Sequence, residues 1–139
     1  MFKKVFLILF LITFVNSASI NYGDVLISRI ISVYDGDTFR ADINSYPDIL
    51  GNNISIRVNG VDTPEMRGSK PEIKELAIKA RDLVKDKLMN GKVIILKNIQ
   101  RGKYFRIVAD VYIDGVDLKE ILFEAGLAKP YDGGTKQQW

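Results

Sequence analysis

Apolar positions along this chain follow two rhythms, one of period two and one near 3.6 residues, separated by short polar breaks that carry glycine or proline. From Val25 to Val33 β-branched and apolar residues dominate, and Tyr34-Asp35-Gly36-Asp37 interrupts them before a return strand from Thr38 to Ile43. Asp-Gly between two such runs predicts a tight hairpin turn, whose central positions take positive φ. Asn44 to Asn53, with Pro47 and Gly51, reads as a loop. Ile54, Ile56 and Val58 then alternate with Ser55, Arg57 and Asn59, a strand with one dry and one polar face.

The rhythm changes after Pro64. Ser69-Lys70-Pro71-Glu72 has capping-box spacing, and Ile73, Leu76, Ala77, Ala80, Leu83, Val84 and Leu88 follow at helical spacing until Asn90-Gly91. Val93 to Leu96 predicts a buried strand, and Gln100-Arg101-Gly102-Lys103 the turn after it. Phe105, Ile107, Ala109, Val111 and Ile113 alternate with Tyr104, Arg106, Val108, Asp110 and Tyr112, which puts Phe105 in the core and Arg106 on the opposite face. Asp117 to Glu120 caps a second, short helix with a buried stripe of Leu118, Ile121, Leu122 and Ala125, stopped by Gly126. The tail from Pro130 to Trp139 is polar and glycine-rich apart from Tyr131 and Trp139.

The expected order is three strands, a long helix, two strands and a short helix. Five strands with the helix between the third and fourth match an α+β, mainly β, OB-type Greek-key barrel. A barrel of this kind hosts many functions, so the chemistry must come from the residues.

The N-terminus adds a separate signal. Met1-Phe2-Lys3-Lys4, the apolar run Val5 to Val15 and Asn16-Ser17-Ala18 read as a signal peptide over residues 1–18, leaving a domain over 19–139 that is exported to the periplasm or the medium. Loss of Lys3 and Lys4 takes the formal charge from +3 to +1, so any basic character that holds a polyanion must be local. The sequence contains no histidine and no cysteine, which excludes disulfides, imidazole acid/base pairs, Ser-His and Cys-His nucleophile systems and ordinary zinc sites.

Carboxylates and arginines remain as the chemistry. Arg57-Val58-Asn59-Gly60-Val61-Asp62-Thr63-Pro64-Glu65 places an arginine and two carboxylates within nine residues, with Asp35-Gly36-Asp37-Thr38 shortly before and Arg106 well after. Each piece alone is an ordinary turn, helix entry or surface charge. Together they supply oxygen ligands for a hard cation, a carboxylate to activate water and two fixed positive charges for a developing phosphate dianion.

Asp37-Thr38, Arg57 five residues before Asp62-Thr63-Pro64-Glu65, and Lys103-Tyr104-x-Arg106, in this element order, closely resemble the staphylococcal nuclease (thermonuclease) family. The resemblance extends from about Ile30 to Lys129 and includes Ala125-Gly126-Leu127-Ala128-Lys129. It implies a secreted monomeric nuclease, free of the membrane after signal cleavage, that uses Ca2+ to hydrolyse DNA and RNA. Little sequence preference, favoured single-stranded or locally unpaired substrates and 3′-phosphate products are part of the same implication. Asp37 and Asp62 would hold the calcium with the backbone carbonyl of Thr63, and Asp35 would be a supporting carboxylate. Glu65 would be the general base, Arg57 and Arg106 the phosphate-contacting arginines, and Lys103 and Tyr104 would lie near the terminal phosphate and base. Replacing Glu65 or Arg57 is then expected to lower turnover without unfolding the domain.

The chain departs from the family where Gly102-Lys103-Tyr104-Phe105-Arg106 stands in place of Asp-Lys-Tyr-Gly-Arg, and its aromatic segment after Lys129 is reduced to Pro130-Tyr131. The alternative function is a non-catalytic OB-fold domain that binds nucleic acid or oligosaccharide.

Overall fold

The structure, a computed structural model, describes residues 22–139. The predicted signal peptide lies outside the described residues. The strand segments are β1 (Val25–Leu26), β2 (Arg29–Val33), β3 (Thr38–Asp42), β4 (Ile54–Val58), β5 (Val61–Asp62), β6 (Ile94–Arg101), β7 (Arg106–Ile113), β8 (Val116–Asp117) and β9 (Lys129–Pro130). The helices are α1 (Asp48–Gly51), α2 (Pro71–Asn90) and α3 (Leu118–Glu124).

The main sheet runs β1-β6-β7-β4-β3-β2, with β8 paired to β7. Its neighbours are antiparallel except β4 and β7, which run parallel and bring Ser55 opposite Arg106 and Arg57 opposite Val108. The predicted first strand breaks at Ile27 and Ser28 and serves both margins of the sheet. Ile27 N donates to Ile94 O at 2.9 Å beside the β1–β6 pair, and Ser28 N donates to Asp42 O at 2.8 Å beside the β2–β3 pair. One run of chain thus joins two strands far apart in the order, and the sheet curls as an OB barrel does. The five predicted strands are all present, and the finer division adds β5, β8 and β9 as short rim pairs.

The alternation of β4 and β7 fills the barrel. Ile56, Val58, Ala109 and Val111 are buried with Phe39 and Leu96, while Val84 and Leu88 of α2 and Leu118 and Leu122 of α3 close the ends. Full burial of a large apolar side chain in such a core stabilises by about 1.5–3 kcal/mol. Asp117 caps α3 by accepting from Lys119 N at 2.9 Å. At the other end Gly126 has φ 68, its N donates to Phe123 O, and Leu127 N donates to Leu122 O, a Schellman stop.

Several local expectations are corrected. Neither Asp35 nor Gly36 has positive φ. Gly36 is required instead by crowding, since a Cβ there would lie 2.8 Å from Ala80 Cβ and 2.8 Å from Thr63 Cγ2. Gly91 likewise stops α2 at φ −67, with a built Cβ only 2.6 Å from Ile113 Cγ2. Ser69 does not cap α2. Lys70 is the N-cap without a side-chain bond, and Ser69 Oγ donates back to Glu65 O at 2.7 Å. The loop between β3 and β4 contains the single turn α1, and β6 continues past Leu96 to Arg101 through a bulge at Asn98, where φ is 49. Ala125 is exposed as the C-cap of α3.

Phe105 is the largest correction: it does not enter the core. The alternation of β7 begins only at Arg106, and Tyr104 and Phe105 before it have φ 56 and 55 in the turn that Gly102 N closes onto Arg106 O at 2.6 Å. Two successive left-handed residues break the period of two, so Phe105 remains 64% exposed.

Candidate active site

The barrel brings the sequence-separated charges to one end. Arg57 stands mid-way along β4, opposite Thr38 of β3, and Val58 N donates to Asp37 O at 2.9 Å. This pairing fixes Asp37 beside Arg57, and the two side chains form an ion pair at 2.8 Å. Asp37 Oδ1 also accepts from Thr38 Oγ1 at 3.0 Å, while Oδ2 accepts from Thr63 N at 3.1 Å and Thr63 Oγ1 at 3.2 Å. The turn Asn59-Gly60 returns the chain, and Arg57 Nη2 donates to Val61 O at 2.9 Å. β5 then carries Asp62 into the same corner, and buried Pro64 leads to Glu65 at the rim.

Asp35, Asp37, Asp62 and Thr63 are all buried, an unusual concentration of negative charge away from water. Burial first, and then the neighbouring charge of Asp37, push the Asp35 carboxyl up to about 7, even though Asp35 accepts from Asp37 N at 3.0 Å. Asp62 Oδ1 is buried, and the Lys136 ammonium lies against it at 2.8 Å as an ion pair. A buried anionic oxygen that already holds a cation fits a hard metal cation in the same place. Asp37, Asp62 and the carbonyl of Thr63 are the all-oxygen set expected from the sequence, while among the described residues no group of three or more His, Cys, Asp or Glu has metal-holding spacing.

The positive side faces an open cavity of about 320 Å³ lined by Arg57, Arg106, Lys103, Tyr131, Asn59 and Arg101, among others. Arg106 joins it from the first position of β7, and its Nε is buried with no partner. The Arg57 guanidinium lies 5.4 Å from the Tyr131 ring centroid. Lys103 lines this cavity as well. Tyr104, expected near the base, is 94% exposed and does not line it. On the other side of Arg106 a more apolar cavity of about 460 Å³ is lined by Tyr22, Tyr46, Leu50 and Phe105, among others.

Lys136 and Trp139 are contacts that sequence reasoning missed. The Lys136 ammonium lies 2.8 Å from Asp62 Oδ1 and 2.6 Å from Glu65 Oε1, and Trp139 Nε1 donates to Asp62 Oδ2 at 3.2 Å. Burial alone would lower the Lys136 ammonium, but its hydrogen bonds to Asp62 and Glu65 and their charges outweigh it and hold the group above its ordinary value. A polar tail of glycine, lysine and glutamine offers no periodic pattern from which this docking could be read.

The staphylococcal nuclease homologue family model matches residues 55–138, more than half of the chain. The chain belongs to this family. It is 31% identical over 118 residues to the SPbeta prophage-derived endonuclease YokF of Bacillus subtilis, covering 81% of this chain and 37% of that protein. It is 32% identical over 107 residues to endonuclease YncB of the same organism, covering 73% of this chain and 48% of the relative. The thermonuclease of Staphylococcus hyicus is 30% identical over 115 residues, which cover 82% of this chain and 64% of that enzyme. The chain thus spans between about a third and two thirds of the length of these relatives.

Proposed function

We propose that the chain is a calcium-dependent nuclease, exported to the periplasm or the medium, that hydrolyses phosphodiester bonds of DNA and RNA with little sequence preference. The observation that carries this reading is the convergence of Arg57, Arg106 and Lys103 on one cavity, with Asp37 paired to Arg57 and with Asp62 and Glu65 brought together at Lys136. Membership of the staphylococcal nuclease homologue family and the names of the relatives support it.

The Arg57 and Arg106 forks grip a phosphodiester through planar donors that lysine does not reproduce. Asp37, Asp62 and Thr63 would hold the calcium, which would supply Lewis-acid charge for the phosphoryl group. Glu65 takes a proton from water while the water oxygen bonds to phosphorus. The bond to the 5′ oxygen then breaks with its electron pair going to that oxygen, which takes a proton from a solvent water, giving 3′-phosphate and 5′-hydroxyl ends. Charge growing on the equatorial oxygens meets both arginines, which is the differential stabilisation catalysis requires.

The test is digestion of plasmid DNA and of RNA with calcium, magnesium or EDTA, followed by analysis of product ends. Glu65→Gln should reduce turnover by at least ~10²-fold with an unchanged folded-state spectrum. Full activity in EDTA would sink the calcium assignment, and strand binding without cleavage under calcium would leave the domain a binding module.

A further inference from the structure

The tail after β9 is anchored across the acidic side of the site. β5 and β9 pair through Val61 with Pro130 and Asp62 with Lys129, and Tyr131 N donates to Gly60 O at 3.0 Å. From this root the chain turns back on itself. Lys129 Nζ donates to Gln138 O, and the Lys129 ammonium lies 4.5 Å from the Trp139 ring centroid. The result brings Lys136 and Trp139 onto Asp62 from one short segment, one on each carboxylate oxygen.

We propose that residues 131–139 form an autoinhibitory strap, in which the Lys136 ammonium competes with the divalent cation for Asp62 and also ties up the general base Glu65. This rests on the calcium reading above. A single nitrogen touching both Asp62 and Glu65 occupies the space between the cation ligand and the base, so one contact blocks both halves of the chemistry. Trp139 fills the remaining oxygen of Asp62.

The strap is built to release. Residues 132–138 are exposed and include Gly133 and Gly134, so the half-buried rings of Tyr131 and Trp139 are the apolar surface that holds the strap down. The Lys136 side chain is 45% exposed, which screens its attraction to Asp62. A dication carries twice the charge of an ammonium and accepts several oxygens at once, so it displaces the lysine when its concentration rises. The cost appears in the apparent affinity, which falls in proportion to the fraction of molecules with the strap open.

Trp139 is the only tryptophan in the sequence and reports on the docked state. Calcium binding to the full domain is measured by calorimetry for wild type, Lys136→Ala and Lys136→Arg, with tryptophan emission followed in parallel. The expected result is about fivefold tighter calcium binding for Lys136→Ala and near wild-type affinity for Lys136→Arg. Wild-type Trp139 emission should shift along the calorimetric isotherm as the ring leaves Asp62. Unchanged or weaker affinity in Lys136→Ala, or emission that stays constant through calcium saturation, overturns the strap while leaving the calcium reading intact. Absence of calcium binding in all three proteins overturns the calcium reading and the competition with it.

Discussion

The Arg57 guanidinium meets the Asp37 carboxylate at 2.8 Å, with side chains only 11% and 9% exposed. One charge proposed for the phosphate is therefore tied to one proposed for the cation, and Arg57 also braces the chain just after the Asn59-Gly60 turn through Val61 O. The residue is part of the fold as well as of the site. Arg57→Ala, expected from the sequence to leave the fold intact, should lower turnover by at least ~10²-fold and also stability by about 3 kcal/mol, because it strands a buried carboxylate. Adding Asp37→Asn should recover part of the thermal loss and none of the turnover. A single variant with wild-type Tm would refute the structural half.

Gly36 brings the acidic turn against Thr63 and Ala80, where any Cβ meets atoms closer than 3.0 Å. Gly36→Ala should cost about 1–3 kcal/mol through overpacking. Because the displaced neighbour is Thr63, calcium affinity should fall along with denaturant stability. Ala80→Gly in the same molecule removes one of the clashing atoms and should restore part of both.

Phe105 holds φ 55 while remaining 64% exposed, so it carries left-handed strain with little burial to offset it. A left-handed L-residue costs roughly 1–2 kcal/mol, and the extra freedom of unfolded glycine returns part of that. Phe105→Gly should therefore raise unfolding stability by about 0.5–1 kcal/mol. A drop in the urea midpoint would show that the ring's contribution to the apolar cavity outweighs the strain.

Asp42 joins β2, β3 and the loop beyond by accepting from Asn53 N at 2.8 Å and pairing with Arg29 at 2.8 Å. The Asn53 hydrogen bond first, and then Arg29, hold its carboxyl below the ordinary 3.8. A depressed folded value means that the stabilisation is present above pH 3.8 and disappears as pH falls through the folded pKa. Asp42→Asn should thus unfold at a lower temperature than wild type near neutrality, with the gap closing in strong acid. A gap that persists unchanged at the lowest pH would assign the effect to packing.

Much of the barrel was legible because its signals are periodic. Ile54-Ile56-Val58 and Ala109-Val111-Ile113 alternate, the α2 stripe returns every three or four residues, and burial enforces both rhythms locally. The cluster Arg57, Asp62, Thr63 and Glu65 was equally visible because its members are sequence neighbours.

Strand and helix order, the residue types at the candidate site and the exclusion of histidine and cysteine chemistry could therefore all be read along the chain. Packing in three dimensions makes the first strand serve two margins, makes Gly36 answer to Ala80 and Thr63 instead of to its own φ, and takes Phe105 out of the period of two. It alone brought Lys136 to Asp62 and Glu65. The physical reason is common to these cases. Periodicity records which face of an element is dry, whereas close approach and ion pairing depend on partners dozens of residues away, and the strain at Phe105 belongs to a turn closed from Gly102 to Arg106 that interrupts the period.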